Sequence, residues 1–156
     1  MRRTQLVITA DDLGIDPRRD DGIFAAHATG AITQASLLVG GVSARAAAEE
    51  ARRVGLPLGL HLDLTEMPPS ADADEVASLL DASGKKLGKH GLRAAVASGA
   101  IDGAHVAREA RAQLGAFAGL VGEPPRHVDG HQHGHVVPAI AGWLAPVFDA
   151  EGVRSV

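Results

Sequence analysis

The chain has no cysteine and no tyrosine, and its aromatic share is 3%, confined to Phe24, Phe117, Phe148 and Trp143. Without cysteine there is no disulfide, no zinc finger and no thiol nucleophile, so any metal must sit on His, Asp and Glu. A basic surplus is also missing. Fifteen Lys and Arg against nineteen Asp and Glu leave a formal charge of −4, which argues against a nucleic-acid partner. No segment approaches the ~20 apolar residues that cross a bilayer, so no membrane association is expected. The opening MRRTQLVITADD has too short an apolar run for a signal peptide, and the chain reads as cytoplasmic. With so few aromatics, the core must be built from small aliphatic side chains.

At 156 residues, with 46% apolar and 22% charged, the chain fits one folded domain, residues 1–156. Short apolar runs alternate with helical spacing. Strands are expected over residues 5–10 (QLVITA), 34–39 (QASLLV), 57–64 (PLGLHLDL) and 126–129, with a fifth beginning at 153–156. Helices are expected around residues 22–28, over 46–54 capped by Ser43, and through Val106, Ala110, Leu114, Phe117 and Val121 behind an Asp102 cap. Ile140, Leu144, Val147 and Phe148 mark another, with Pro138 in its first turn and a kink at Pro146. Trp143 belongs to the apolar stripe of that helix. The proline-rich, acidic stretch 66–75 (EMPPSADADE) reads as a long loop of the lid type. This alternation predicts βαβ units and a parallel sheet. A sheet that stops on a nascent strand is an incomplete one with an uncovered edge, which a second copy could pair.

The polar residues gather at the strand ends. Asp11 and Asp12 follow the first strand, His61 and Asp63 end the third, and Asp129, His131, His133 and His135 follow the fourth. In parallel α/β folds the carboxyl ends of the strands share one face, where active sites form. Two imidazoles with a carboxylate leave positions open for water and substrate, which is hydrolytic chemistry. Each element also has a plainer reading: an aspartate pair capping a turn, a hydrogen-bonded core histidine, a polar loop between Gly130 and Gly134. His27, His90 and His105 have no partner in the pattern and receive no role. The coincidence of three strand ends is what favours a metal site.

TADDLG, GLHLDLTE and HVDGHQHGH, in that order, resemble the YdjC-like family of carbohydrate deacetylases. PRRDDGI and SLLVGG match as well, so the likeness spans essentially the whole chain. The resemblance implies a (β/α)-barrel-like α/β fold related to polysaccharide deacetylases. It implies removal of N-acetyl groups from amino sugars or oligosaccharides such as chitooligosaccharides, with one divalent metal ion. By motif position Asp12, His61 and His131 would bind the ion and Asp11 would be the base that activates water. His133 and His135 would lie behind the ligands or near the substrate, and Asp129 would orient a ligating imidazole through its other nitrogen. Leu13 stands where the family has Phe, and Gly134 where Val is usual. Family members are longer, and a full barrel takes about 250 residues, so the chain corresponds to the N-terminal half to two-thirds.

Three functions fit these residues: a metal-dependent sugar deacetylase; a metal-dependent phosphoesterase or amidohydrolase-type enzyme; and a truncated or degenerate non-catalytic fragment that binds a partner or a metal, with pairing through its sheet edge giving a homodimer. Two imidazoles favour zinc or another transition metal, while a water-filled remainder would admit magnesium.

Overall fold

The computed structural model of the chain describes residues 6–156. Four parallel strands form one sheet: β1 (Thr9–Leu13), β2 (Gln34–Leu37), β3 (Leu58–Leu62) and β4 (Val128–Gly130). Their spatial order is β1-β2-β3-β4, the order of the sequence. A doubly wound sheet would reverse direction partway; a strictly sequential order is how a (β/α) barrel grows. The α/β, barrel-like expectation therefore holds.

Helices α1 (Pro17–Ala28) and α2 (Ala44–Val54) make the first two crossovers. Asp16 caps α1 by accepting from the Arg19 amide, and Pro17 supplies a pre-set first turn, so the helix starts five residues before the expected 22. The buried face of α2 is alanine throughout (Ala44, Ala47, Ala48, Ala51), and Gly55 ends it in the left-handed conformation. Ser43 occupies the cap position of α2, but its Oγ has no partner, so the expected cap hydrogen bond is not made.

The third crossover is the longest. A 3-10 stretch (Ala73–Leu79), α3 (Gly88–Ala97) and α4 (Gly103–Val121) separate β3 from β4. The loop expected over 66–75 thus gives way to helical turns at Ala73. Helix α3 escaped the pattern because it buries one side chain, Leu92, and carries two glycines. Asp102 does cap α4, accepting from the Ala104 amide. After β4 a 3-10 segment (His131–Val136) leads into α5 (Pro138–Ala150), which runs without interruption through Pro146. Trp143 packs on the core, and Gly103 makes room for it: a Cβ there would lie 2.7 Å from the indole ring.

Two strand expectations shift. The first strand lies at Thr9–Leu13 and takes in both aspartates, while Leu6, Val7 and Ile8 stay exposed; the expected start, Gln5, is outside the described residues. Around 153–156 there is a single parallel bridge, His127↔Ser155, with Val128 N donating to Ser155 O at 3.0 Å. The core between sheet and helices rests on Leu13, Leu37, Leu60, Leu62, Phe117 and Ile140, all essentially inaccessible. Each such side chain contributes about 1.5–3 kcal/mol on burial, and truncating one to Ala costs roughly 2–5 kcal/mol. Among the described residues no helix is long and apolar enough to cross a membrane.

Candidate metal centre

The site begins with an irregularity in β1. Pairing with β2 steps from Ala10↔Ala35 to Leu13↔Leu37, three residues against two, so one extra residue bulges. The bulge contains Asp11 and Asp12, and Asp12 adopts a φ of +64°. Bulges re-aim side chains, and here consecutive aspartates face different neighbours. Asp12 Oδ1 lies 3.2 Å from His61 Nε2 and 2.8 Å from His131 Nδ1. Its Oδ2 is paired with the Arg19 guanidinium from α1. Asp11 is exposed, with Ser36 Oγ donating to its Oδ1 at 3.4 Å.

His61 on β3 is in register with Asp129 on β4, so the two side chains stand on the same face of adjacent parallel strands. His61 Nδ1 lies 2.6 Å from Asp129 Oδ1. Burial alone would lower the His61 pKa, but the Asp129 hydrogen bond and the charges of Asp129, Asp11 and Asp12 hold it above the ordinary value. For Asp129 burial pushes upward, and the bond and charge of His61 outweigh it, leaving the carboxyl below the ordinary range.

His131 opens the turn after β4. Gln132 and His133, next in the chain, both adopt φ of +55°. Among the described residues, these two and Asp12 are the non-glycine positions at positive φ, and all three line one pocket. Left-handed backbone at such residues costs about 1–3 kcal/mol each and collects at functional sites. The pocket is open, about 230 Å³, and is also lined by Asp11, His61, His131 and Lys89. Lys89, at the start of α3, is its one cation among the described residues.

His133 sits on the pocket wall. His135 does not. It packs on Gly130, where a Cβ would lie 2.0 Å from its Nδ1, and it lines a separate cavity beside α5 with Leu144 and Phe148. Asp63, grouped with His61 by strand alternation, also leaves the site. It is buried and accepts from the Thr65, Glu66 and Met67 amides, and it pairs with the buried Lys86 at 2.9 Å. Lys86 also lies 3.0 Å from the fully buried Glu109, and Gln113 donates to Glu109 at 2.7 Å.

One nitrogen from each imidazole and one oxygen of Asp12 lie within 4.8 Å of one another. Donors sharing an ion at ~2.0–2.2 Å are themselves roughly 3 Å apart, so this mixed N/O set fits a divalent cation. Asp11, His61 and Asp129 form a second group within the same limit. An ion there would have to break the 2.6 Å His61–Asp129 contact and would have one imidazole instead of two. The first set is the better cradle.

Sequence reasoning missed Glu66, whose carboxylate meets His131 Nε2 at 3.0 Å, and the buried lysine beneath it. Glu66 stands inside the GLHLDLTE stretch, three residues after Asp63, which was the available signal.

A family model described as YdjC-like protein matches residues 5–156. Among curated relatives, a human carbohydrate deacetylase is 49% identical over 153 residues, 97% of this chain and 47% of that protein. A Serratia marcescens chitooligosaccharide deacetylase is 33% identical over 149 residues, 95% of this chain and 57% of its own length. The chain spans about half the length of the curated relatives it matches. A crystal structure described as a cellobiose-phosphate cleavage protein, from Enterococcus faecalis V583, superposes with a TM-score of 0.85 at 27% identity. That match covers 96% of this chain and 57% of the other.

Proposed function

The chain belongs to the YdjC-like family, and on that premise we propose that residues 1–156 form one unit carrying the metal centre of a carbohydrate deacetylase. The reaction is hydrolysis of the N-acetyl amide of an amino sugar or oligosaccharide. The observation that carries the reading is the convergence of Asp12, His61 and His131 in an open pocket beside a second aspartate, Asp11. Relatives described as carbohydrate and chitooligosaccharide deacetylases point the same way.

A divalent ion bound by those three residues, zinc or magnesium, would supply the charge that acidifies water and polarises an acetyl carbonyl. Asp11 is the group placed to take the proton from attacking water, being exposed to the pocket with only a long 3.4 Å hydrogen bond from Ser36. Asp129 fixes the His61 ring, so Nε2 faces Asp12. Lys89 and His133 on the pocket wall are placed to meet substrate hydroxyl or carbonyl oxygens.

Acetate release from N-acetylglucosamine oligomers by metal-loaded protein tests the reading, with His131→Ala as control. One ion per chain, lost in the variant along with turnover, is expected; an unchanged ion content in the variant refutes the ligand set. Phosphate-ester cleavage is the second reading, favoured by Lys89 in the pocket and Arg19 on Asp12. Phosphate rather than acetate release from sugar phosphates would select it. Pairing of two copies through the sheet edge is checked by sedimentation.

A further inference from the structure

We propose that Glu66 is a positioning residue for His131, doing for that ring what Asp129 does for His61, and that the buried Asp63–Lys86–Glu109 set holds Glu66 in place. The inference rests on the reading of Asp12, His61 and His131 as ligands.

The two imidazoles approach Asp12 through different nitrogens. His61 presents Nε2 and has Asp129 on Nδ1; His131 presents Nδ1 at 2.8 Å and has Glu66 Oε2 on Nε2 at 3.0 Å. A neutral imidazole that offers one nitrogen as a ligand carries its proton on the other, and an acceptor there fixes both tautomer and ring angle. Among the described residues Glu66 is the acceptor His131 has on that side.

An exposed glutamate beside a histidine is often an incidental surface contact, and the Glu66 side chain is 43% exposed. Three features separate it from that case. Its second oxygen accepts from Gln132 Nε2 at 2.9 Å, which ties it to the left-handed turn carrying His131. Its own amide donates to Asp63 Oδ1 at 3.0 Å, one of several backbone and hydroxyl donors that Asp63 gathers from residues 65–67. Further along the same loop, the Ser70 and Ala71 amides donate to Glu109 at 3.0 Å. Lys86, 1% exposed at its side chain, bridges the two carboxylates that grip the loop at both ends. The loop is therefore nailed down at residues 65–67 and 70–71, and Glu66 is held in reach of the ring.

Zinc titration of the wild type, Glu66→Ala, Glu66→Gln and His131→Ala, against a competing chelator, tests this, together with 15N shifts of the His131 ring in zinc-loaded protein. Glu66→Ala is expected to keep one ion per chain but bind it about 10–100-fold more weakly. Glu66→Gln, whose carbonyl still accepts, should recover part of that loss and keep the wild-type pattern of a protonated Nε2. Zinc affinity unchanged in Glu66→Ala, with uptake abolished in His131→Ala, overturns the inference and leaves the metal reading standing. Loss of the ion in Glu66→Ala as complete as in His131→Ala overturns it also, since Glu66 would then be a ligand. A wild type that takes up no zinc overturns the inference together with zinc as the ion of this site.

Discussion

Two polar clusters leave the same end of β3, and they are built on opposite terms. His61 lines an open pocket with Asp11, Asp12 and His131, and Asp129 meets its other ring nitrogen. Asp63, two residues on, enters the protein, where Lys86 faces two carboxylates and Gln113 fills the remaining gaps. In the inner cluster every charged group is buried and partnered within 3.0 Å. The outer one has surplus acceptors, two cations at its edge in Arg19 on Asp12 and Lys89 on the pocket wall, and three strained backbone positions. A buried ion set that closes on itself holds the fold; one that stays unbalanced beside a cavity leaves its unused valence for something that binds.

The sharpest way to break that contrast is Lys86→Met. Removing one partner of a buried ion set leaves uncompensated charge, at a cost of about 3–5 kcal/mol. Denaturant unfolding of the metal-free protein should therefore lose that much in Lys86→Met, while His131→Ala stays within about 1 kcal/mol of wild type. Equal losses in the two variants would mean that the pocket histidines are as structural as the lysine.

Asp129→Asn probes the outer cluster with a smaller effect. It leaves a hydrogen-bonding group beside His61 Nδ1 but removes the charge, and metal affinity should fall about 10–100-fold with little change in unfolding. A stability loss that matches the affinity loss would move Asp129 from the metal centre to the fold.

How well each cluster could be read from the sequence follows from its construction. The outer one was legible because strand periodicity puts Asp11, Asp12, His61 and His131 at three strand ends, and strand ends share a face. The inner one draws on Asp63, Lys86, Glu109 and Gln113, and no local pattern joins groups 23 to 50 residues apart. Nothing in GKKLGKH distinguishes the buried Lys86 from Lys85 or Lys89. Position relative to a strand also misled in both directions. Alternation put Asp63 with His61, yet the chain leaves β3 after Leu62 and the side chain turns inward. The parallel sheet was legible, whereas the bulge in β1 was not, because it depends on how Leu13 pairs with Leu37 and not on which residues alternate.

Acid provides a third separation. Burial would raise the Asp63 pKa, but the charge and hydrogen bond of Lys86, with the Thr65 donors, hold it below the ordinary carboxylate range. A carboxyl depressed in the folded state stabilises the fold above its unfolded pKa and gives that up as pH falls through the folded value. Unfolding free energy should thus decline on the acid side of about pH 5 in the wild type. It should decline less steeply in Lys86→Met, where the depression is gone. Parallel acid limbs in the two proteins would remove Asp63 from the stability of the inner cluster.

The smallest effect isolates the strain in the outer cluster from its chemistry. His133 has a φ of +55° and an exposed side chain on the pocket wall. His133→Ala removes the imidazole and keeps the left-handed Cβ penalty; His133→Gly removes both. In an ordinary exposed helix Gly is worse than Ala by about 1 kcal/mol. Here the order should reverse, with His133→Gly the more stable of the pair by about 1 kcal/mol, since left-handed backbone costs a residue with a Cβ roughly 1–2 kcal/mol. If the strain serves to hold the histidine turn, the more stable Gly variant should also bind metal more weakly than the Ala variant, because the backbone next to His131 gains freedom. Stability and affinity rising together would mean that the left-handed turn is merely tolerated, and that Asp12, Glu66 and the β4 register hold His131 without it.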